Sequence, residues 1–344
     1  MDRILIVRLG ALGDIVHAIP VAAALRRAFP AARLDWLVAG KHRPILDLVT
    51  VIDSRIVVRD GSLGLGAVGV IPELRRGRYD VALDLQGLLK SAALARASGA
   101  GRVVGFAPSY LRERTARPFY TEVYDPGSAG VFDPRETRHV VQVNLSLLEC
   151  LGITAPRIEF PIAAVDSEAG RSVERQIGPR YVLLNPGAAW PNKRWPPERF
   201  GALASAIRSR HGLRSAVTWG PGEKPLADAV AAASGGTAIV SPPTSVSDLV
   251  ALARGAALVV SGDTGPAHIA AAVGAPIVGI YGPTRPSRNG PWLPSDVTVS
   301  RDAVCQCHHL RTCRLSTMCL MDIGVDEVVS AVDRRLALGE TRVS

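Results

Sequence analysis

Two acidic residues occupy strand-to-helix turns, where side chains can reach the rim of a sheet. Asp14 closes Gly10-Ala-Leu-Gly13-Asp14, and Asp263 lies within Ser261-Gly-Asp263-Thr264-Gly265-Pro266-Ala-His268. A carboxylate so placed stands where a parallel-sheet protein binds its ligands, at the carboxyl end of a strand. It can also simply cap the following helix, which is the plainer reading of Asp14 taken alone; a cap at a ligand-binding edge can do both. Around Asp263, backbone N–H groups at a helix start form a phosphate site. Thr264 and His268 add donors, and Pro266 suits an early helical position whose N–H needs no partner. The competing reading is a helix capped by Asp263. A third segment, Asn185-Pro-Gly187-Ala188-Ala189-Trp-Pro-Asn192-Lys193-Arg194-Trp195-Pro196, follows a strand and ends in two cations between tryptophans. Lys193 there suits neutralisation of a leaving diphosphate, and the alternative is an exposed basic loop.

The elements that must position these groups can be read from hydrophobic periodicity. Ile4–Val7 is an apolar strand, and a helical pattern runs on through Ile15, Ile19, Ala22, Leu25 and Phe29. Further strands are expected at Leu34–Val38, Val81–Leu85 and Arg102–Phe106. After Pro156 and Pro161 the pattern restarts. Strands are expected at Tyr181–Leu184, Ser215–Trp219, Leu258–Ser261 and Pro276–Tyr281, with helices at Pro197–His211 and Ala267–Val273. Alternation of this kind predicts α/β architecture with two parallel-sheet domains. We assign residues 1–160 to the first, 161–325 to the second, and 326–344 to a closing amphipathic helix and tail, with Val328, Val329, Val332 and Leu336 on its apolar face.

The 344 residues, 47% hydrophobic and 21% charged, are enough for two cores of ordinary size and do not resemble a disordered or fibrous chain. Arg8 interrupts the first apolar run too early for a secretory signal, and the other apolar runs are too short to span a bilayer, so a cytoplasmic location is expected. The net charge of +9 favours anionic partners. Lys90, Arg96, Arg102, Arg112, Arg114 and Arg117 are opposed in their stretch by Glu113 alone, and no nucleic-acid-binding signature surrounds them, so an anion-facing surface or a solvated basic face is expected rather than a nucleic-acid stripe. Two glycines before Asp14 fall short of a dinucleotide fingerprint. Cys150 reads as packing within an apolar helical run. Cys305, Cys307, Cys313 and Cys319, with His308 and His309 among them, are clustered enough for a structural metal but lack paired Cys-x-x-Cys spacing, and a reduced thiol-bearing loop is the alternative.

Taken together, these segments resemble the heptosyltransferases of glycosyltransferase family nine over nearly the whole chain. Arg8-Leu-Gly-Ala-Leu-Gly-Asp14, with His17 and Pro20, is similar to the family's N-terminal loop, and Asp84-Leu-Gln86-Gly87-Leu-Leu-Lys90-Ser91 is closest to the heptosyltransferase I branch. Lys193-Arg-Trp-Pro196, Asp263-Thr-Gly-Pro-Ala-His268 and Tyr281-Gly-Pro-Thr284 resemble its donor-domain segments. Gly10, Ala11, Ala188 and Ala189 stand where heptosyltransferase I commonly has hydroxyl residues, and the cysteine tail is more like heptosyltransferase II and protein heptosyltransferases.

The resemblance implies a GT-B fold, two Rossmann-like domains with parallel sheets facing a central cleft. It also implies an inverting transfer of L-glycero-D-manno-heptose from ADP-heptose to Kdo-lipid A, with Asp14 as base. Lys193, Glu223, Asp263, Thr264, Gly265, His268, Ala188 and Ala189 would bind the donor, and Gly13, His17, Gln86, Lys90, Arg112 and Arg114 the acceptor. The chain has no Asp-x-Asp motif, so basic groups and a helix end are expected to replace a catalytic cation, with no cofactor required. An anionic glycolipid acceptor brings with it peripheral contact with the cytoplasmic face of the inner membrane. The alternatives are a GT-B enzyme with another nucleotide sugar or a protein acceptor, and a non-catalytic nucleotide-binding module.

Overall fold

The computed structural model describes residues 1–59, 68–127, 130, 133, 135–308, 310–313 and 317–340. The chain divides into two compact units, Met1–Ala163 and Ala164–Ser344.

In the first unit, β1 (Arg3–Val7), β2 (Arg33–Ala39), β3 (Ser54–Val58), β4 (Val81–Asp84), β5 (Arg102–Phe106) and β6 (Glu122–Tyr124) form a parallel sheet in the order β3-β2-β1-β4-β5-β6. Ile4 to Val7 are fully buried, as expected of a central parallel strand covered on both faces. The helical pattern after β1 is split into Leu12–Val16 and Ile19–Ala28. Pro20 has no N–H to give the carbonyl of Val16, so the helix restarts instead of continuing. An antiparallel bridge between Val49 and Ile162 holds the end of the unit against its own body.

The second unit repeats the plan with β7 (Tyr181–Asn185), β8 (Arg214–Val217), β9 (Ala238–Val240), β10 (Leu258–Gly262), β11 (Ile277–Tyr281) and β12 (Val297–Ser300), ordered β12-β11-β10-β7-β8-β9. Its core includes Val182, Leu184, Trp195, Phe200 and Val260. The final helix, Val325–Glu340, lays Val328, Val329, Val332 and Leu336 into that same core.

Counted within its own unit, each sheet runs third, second, first, fourth, fifth, sixth. This is the doubly wound order, and ligands bind where the connections diverge, outside the carboxyl ends of the first and fourth strands. The switch points are therefore β1/β4 and β7/β10. Among the described residues no helix is long and apolar enough to cross a membrane.

Candidate active site

Register builds the first switch point. Val7 pairs with Asp84, so the residues leaving β1 emerge beside those leaving β4. Arg8, buried, donates through Nη1 to the carbonyl of Leu85, and the Leu9 N–H donates to Gln86 Oε1 at 2.6 Å. Asp84 fixes the β4 turn from within. Its Oδ2 accepts from Tyr120 Oη at 2.7 Å and Ser91 Oγ at 2.9 Å, and its Oδ1 accepts from the Gln86 N–H at 2.9 Å. Gly87 follows with φ of +68°, a conformation only glycine adopts without strain.

Asp14 is held in this frame. It is the third residue of Leu12–Val16, and its Oδ2 accepts from the Ala11 N–H at 3.2 Å. The cap position belongs to Ala11, so the reading of Asp14 as the N-cap is corrected: its carboxylate folds back on the cap's backbone. Arg8 Nη2 lies 2.9 Å from Asp14 Oδ2, and Arg112 Nη2 lies 3.5 Å from it. Burial pushes the Asp14 carboxyl up, but Arg8, Arg112, His17 and the Ala11 N–H outweigh it and hold the group well below the usual carboxylate range.

The remaining first-unit candidates fall into three groups. Gly13 and Gln86 are half-buried in the two turns, whereas Lys90, Arg112 and Arg114 are exposed. Arg112 reaches Asp14 because its loop is stitched to the β4 turn, by Glu113 N–H to the Gly87 carbonyl at 3.1 Å and by Leu89 N–H to Glu113 Oε2 at 2.7 Å. His17 is buried, edge-on to His139 with ring centroids 5.5 Å apart. Of the other cations in the basic stretch, Arg102 bonds Glu122 and the Cys150 carbonyl, and Arg117 bonds the Tyr120 carbonyl.

At the second switch point, Asn185 pairs in register with Ser261. Its Nδ2 lies 3.2 Å from the Gly187 carbonyl, 3.0 Å from Ser261 Oγ and 3.1 Å from Thr264 Oγ1, locking the β7 and β10 turns together. Asn185 was not singled out from the sequence, although an amide side chain closing a buried strand was a usable signal. Glu223 packs directly over Gly187, where any Cβ would collide with its carboxylate. Its Oε2 accepts from the Gly220 N–H at 3.1 Å. Ala188 is buried and Ala189 exposed, and the Ala188 carbonyl accepts from Arg194 Nε at 2.8 Å.

Asp263 is the buried hub. Lys193 Nζ pairs with its Oδ2, and His268 Nε2 lies 3.1 Å from its Oδ1. Lys193 Nζ also stands 4.5 Å from the centroid of the Trp190 ring. Burial raises the Asp263 carboxyl, but the His268 hydrogen bond and the Lys193 charge prevail and keep it well below its ordinary range. Asp263 is not the helix cap. Thr264 is, its Oγ1 accepting from the Ala267 N–H at 3.4 Å in front of Gly265–Ala272. The Ala267 amide is therefore engaged within the protein, and the His268 N–H is spent on the Thr264 carbonyl.

The cysteine segment belongs to the same unit. Cys307 Sγ and Cys313 Sγ are 3.0 Å apart, and burial with a Cys305 contact pushes the Cys319 thiol up to about 12. Among the described residues, no three His, Cys, Asp or Glu groups are arranged to hold a metal ion. His309 lies outside the described residues. Cys150 sits not in an α-helix but on the 3-10 turn Leu147–Leu151, half-buried.

Residues 69–318 match the family model for glycosyltransferase family 9 (heptosyltransferase). The chain is 28% identical over 326 residues to the lipopolysaccharide heptosyltransferase 1 of Pseudomonas aeruginosa, covering 90% of this chain and 87% of that one. Among solved structures it superposes on a family 9 glycosyltransferase from Veillonella parvula with a TM-score of 0.80 and 23% identity, over 98% of this chain and 97% of that one. It also superposes on the E. coli heptosyltransferase WaaC with ADP, with a TM-score of 0.76 and 23% identity, over 97% of this chain and 99% of that one. The fold is that of the GT-B heptosyltransferases.

Proposed function

The chain belongs to glycosyltransferase family 9, the heptosyltransferases, and on that premise we propose that it transfers heptose from ADP-heptose to the Kdo of a lipid A acceptor, with inversion and without a catalytic metal. Lipopolysaccharide core synthesis is the setting that its relatives' names give. The observation that carries the finer reading is Asp14, a charged carboxylate at the carboxyl end of β1, at the switch point where a ligand is expected.

In this mechanism an acceptor hydroxyl oxygen attacks the anomeric carbon while Asp14 takes its proton. The bond from that carbon to the diphosphate oxygen breaks with its electron pair, and the departing ADP carries the charge. Lys193 and His268, gathered on Asp263, supply positive charge and a donor for the diphosphate, and the Thr264 and Gly265 amides add dipoles at the helix start. Gly13, Gln86, Lys90, Arg112 and Arg114 face the acceptor, and Glu223 with the Ala188–Ala189 turn shapes the donor side. The acceptor is then an anionic glycolipid, which places the enzyme at the cytoplasmic face of the inner membrane.

The test is a coupled assay of ADP release with ADP-heptose and Kdo-lipid A. Wild-type protein should turn over equally well after exhaustive chelation, whereas Asp14→Asn should bind ADP-heptose and lose most turnover. Near-normal transfer by Asp14→Asn would remove the base, and a strict need for Mg²⁺ or Mn²⁺ would remove the metal-free leaving-group step.

A further inference from the structure

Two guanidinium groups meet the Asp14 carboxylate, and they differ in kind. Arg8 approaches from the end of β1 with its side chain 6% exposed, pinned from behind by the Leu85 carbonyl. Arg112 approaches from the loop after β5 with its side chain 49% exposed, making one contact of 3.5 Å on the same oxygen that Arg8 holds. The other groups facing Asp14 are the Ala11 N–H and His17, one turn along its own helix. Arg8 is therefore part of the frame, while Arg112 is an arm half in solvent. An ion pair with one partner half in solvent and a separation of 3.5 Å is weak enough to exchange that partner.

We infer that Arg112 is a gate on the base: it neutralises Asp14 while no acceptor is bound and leaves Asp14 for an acidic group of the acceptor when one arrives. The inference rests on Asp14 being the base, and adds that its availability is conditional. A carboxylate clamped by two cations has little affinity for a proton. An acceptor carboxylate or phosphate offers Arg112 a bidentate partner that Asp14, shared with Arg8, does not. Withdrawing the arm restores basicity at the moment a hydroxyl is present to be deprotonated. The same device protects the donor, because water reaching the anomeric carbon without an acceptor meets a base that is already neutralised.

The measurement is ADP release from ADP-heptose with no acceptor present. In this hydrolysis water attacks the anomeric carbon, its proton passes to Asp14, and the sugar–phosphate bond breaks toward ADP. Arg112→Ala should hydrolyse the donor about tenfold faster than wild type, because one of two clamping charges is gone. Its transfer to Kdo-lipid A should show a raised acceptor KM, and Arg112→Lys should fall between the two in both assays. Adding Asp14→Asn to Arg112→Ala should return hydrolysis to the level of Asp14→Asn alone. Unchanged or slower hydrolysis in Arg112→Ala, with Asp14→Asn still inactive in transfer, overturns the gate and leaves the base in place. Fast hydrolysis that persists in the double variant also overturns it, since the gain would not pass through Asp14. Transfer by Asp14→Asn at near wild-type rate is a separate result that removes the reading beneath the gate.

Discussion

Asp84, buried at the end of β4, and Asp14, half-buried in the helix that follows β1, belong to the same switch point, yet their acidities move in opposite directions. Asp84 is surrounded by neutral donors, Tyr120, Ser91 and two amides, so burial wins and its carboxyl is raised. Asp14 has two guanidiniums beside it, which overcome burial and keep it charged. The first shapes a turn, and the second stays ionised at the switch point, as the base proposed above must be before it can take a proton. Asp263 follows the logic of Asp14, with Lys193 and His268 as its partners. Removing it would leave those two crowded without their counter-charge, and Asp263→Ala should destabilise the protein by about 3–5 kcal/mol, read from denaturant midpoints at neutral pH. The sign with pH is fixed as well. The folded-state pKa of Asp263 lies below its ordinary 3.8, so its contribution is complete above that value and is lost as pH falls toward the folded pKa. Asp263→Asn should therefore flatten the decline of stability below about pH 4. An acid limb as steep as that of wild type would show that the pairing contributes nothing to folding.

At the scale of the element, the helix Gly265–Ala272 joins fold to candidate site through Thr264. One hydroxyl caps the helix and meets Ser261 at the end of its own strand and Asn185 at the end of the neighbouring one. Thr264→Val keeps the shape and removes those bonds, so it should cost about 1 kcal/mol of stability and raise the donor KM. Thr264→Ser should restore both, and a valine variant with unchanged donor KM would confine the hydroxyl to helix capping. Such turns were legible from sequence because glycines, a proline and small polar residues follow short apolar runs. All eight inner strands were legible too, since they are largely buried on both faces and read as mainly apolar runs, even with Asp35 inside β2 and Ser215 inside β8. The four edge strands, β3, β6, β9 and β12, were not. Each is short and half-buried, and three of them carry polar or charged residues such as Arg55, Glu122 and Thr298 within the run, so neither periodicity nor length separates them from loop. The caps were misread for a related reason. Spacing places an acid near a helix start, but it does not show that Asp14 accepts from the Ala11 N–H while pairing with Arg8, or that Asp263 pairs with Lys193, 70 residues away in sequence.

At the scale of the whole molecule, one topology is used twice with different chemistry at its two switch points. The first unit sets a charged carboxylate between buried Arg8 and exposed Arg112, and the second gathers Lys193 and His268 around a buried one. If acceptor and donor are divided between the units in this way, a surface change in one should reach the kinetics of one substrate only. Lys90 and Arg114 are the clearest probes, because they are exposed and, unlike Arg102 and Arg117, show no side-chain bond to another of the described residues. Lys90→Ala and Arg114→Ala should leave the melting temperature within about a degree or two of wild type, as for surface residues generally. Each should raise the acceptor KM severalfold while the donor KM stays the same, since charge-assisted bonds to acceptor carboxylates and phosphates would be lost. The loss should shrink for an acceptor lacking phosphate. In wild type, raising the salt concentration should weaken the acceptor KM in the same direction, by screening charges that lie in solvent. Equal effects on both substrates would mean that the division of labour between the two sheets is wrong, and no effect on either would make these residues an ordinary solvated face. A change confined to the acceptor, abolished with its phosphates and mimicked by salt, is the pattern that only an anion-facing first unit produces.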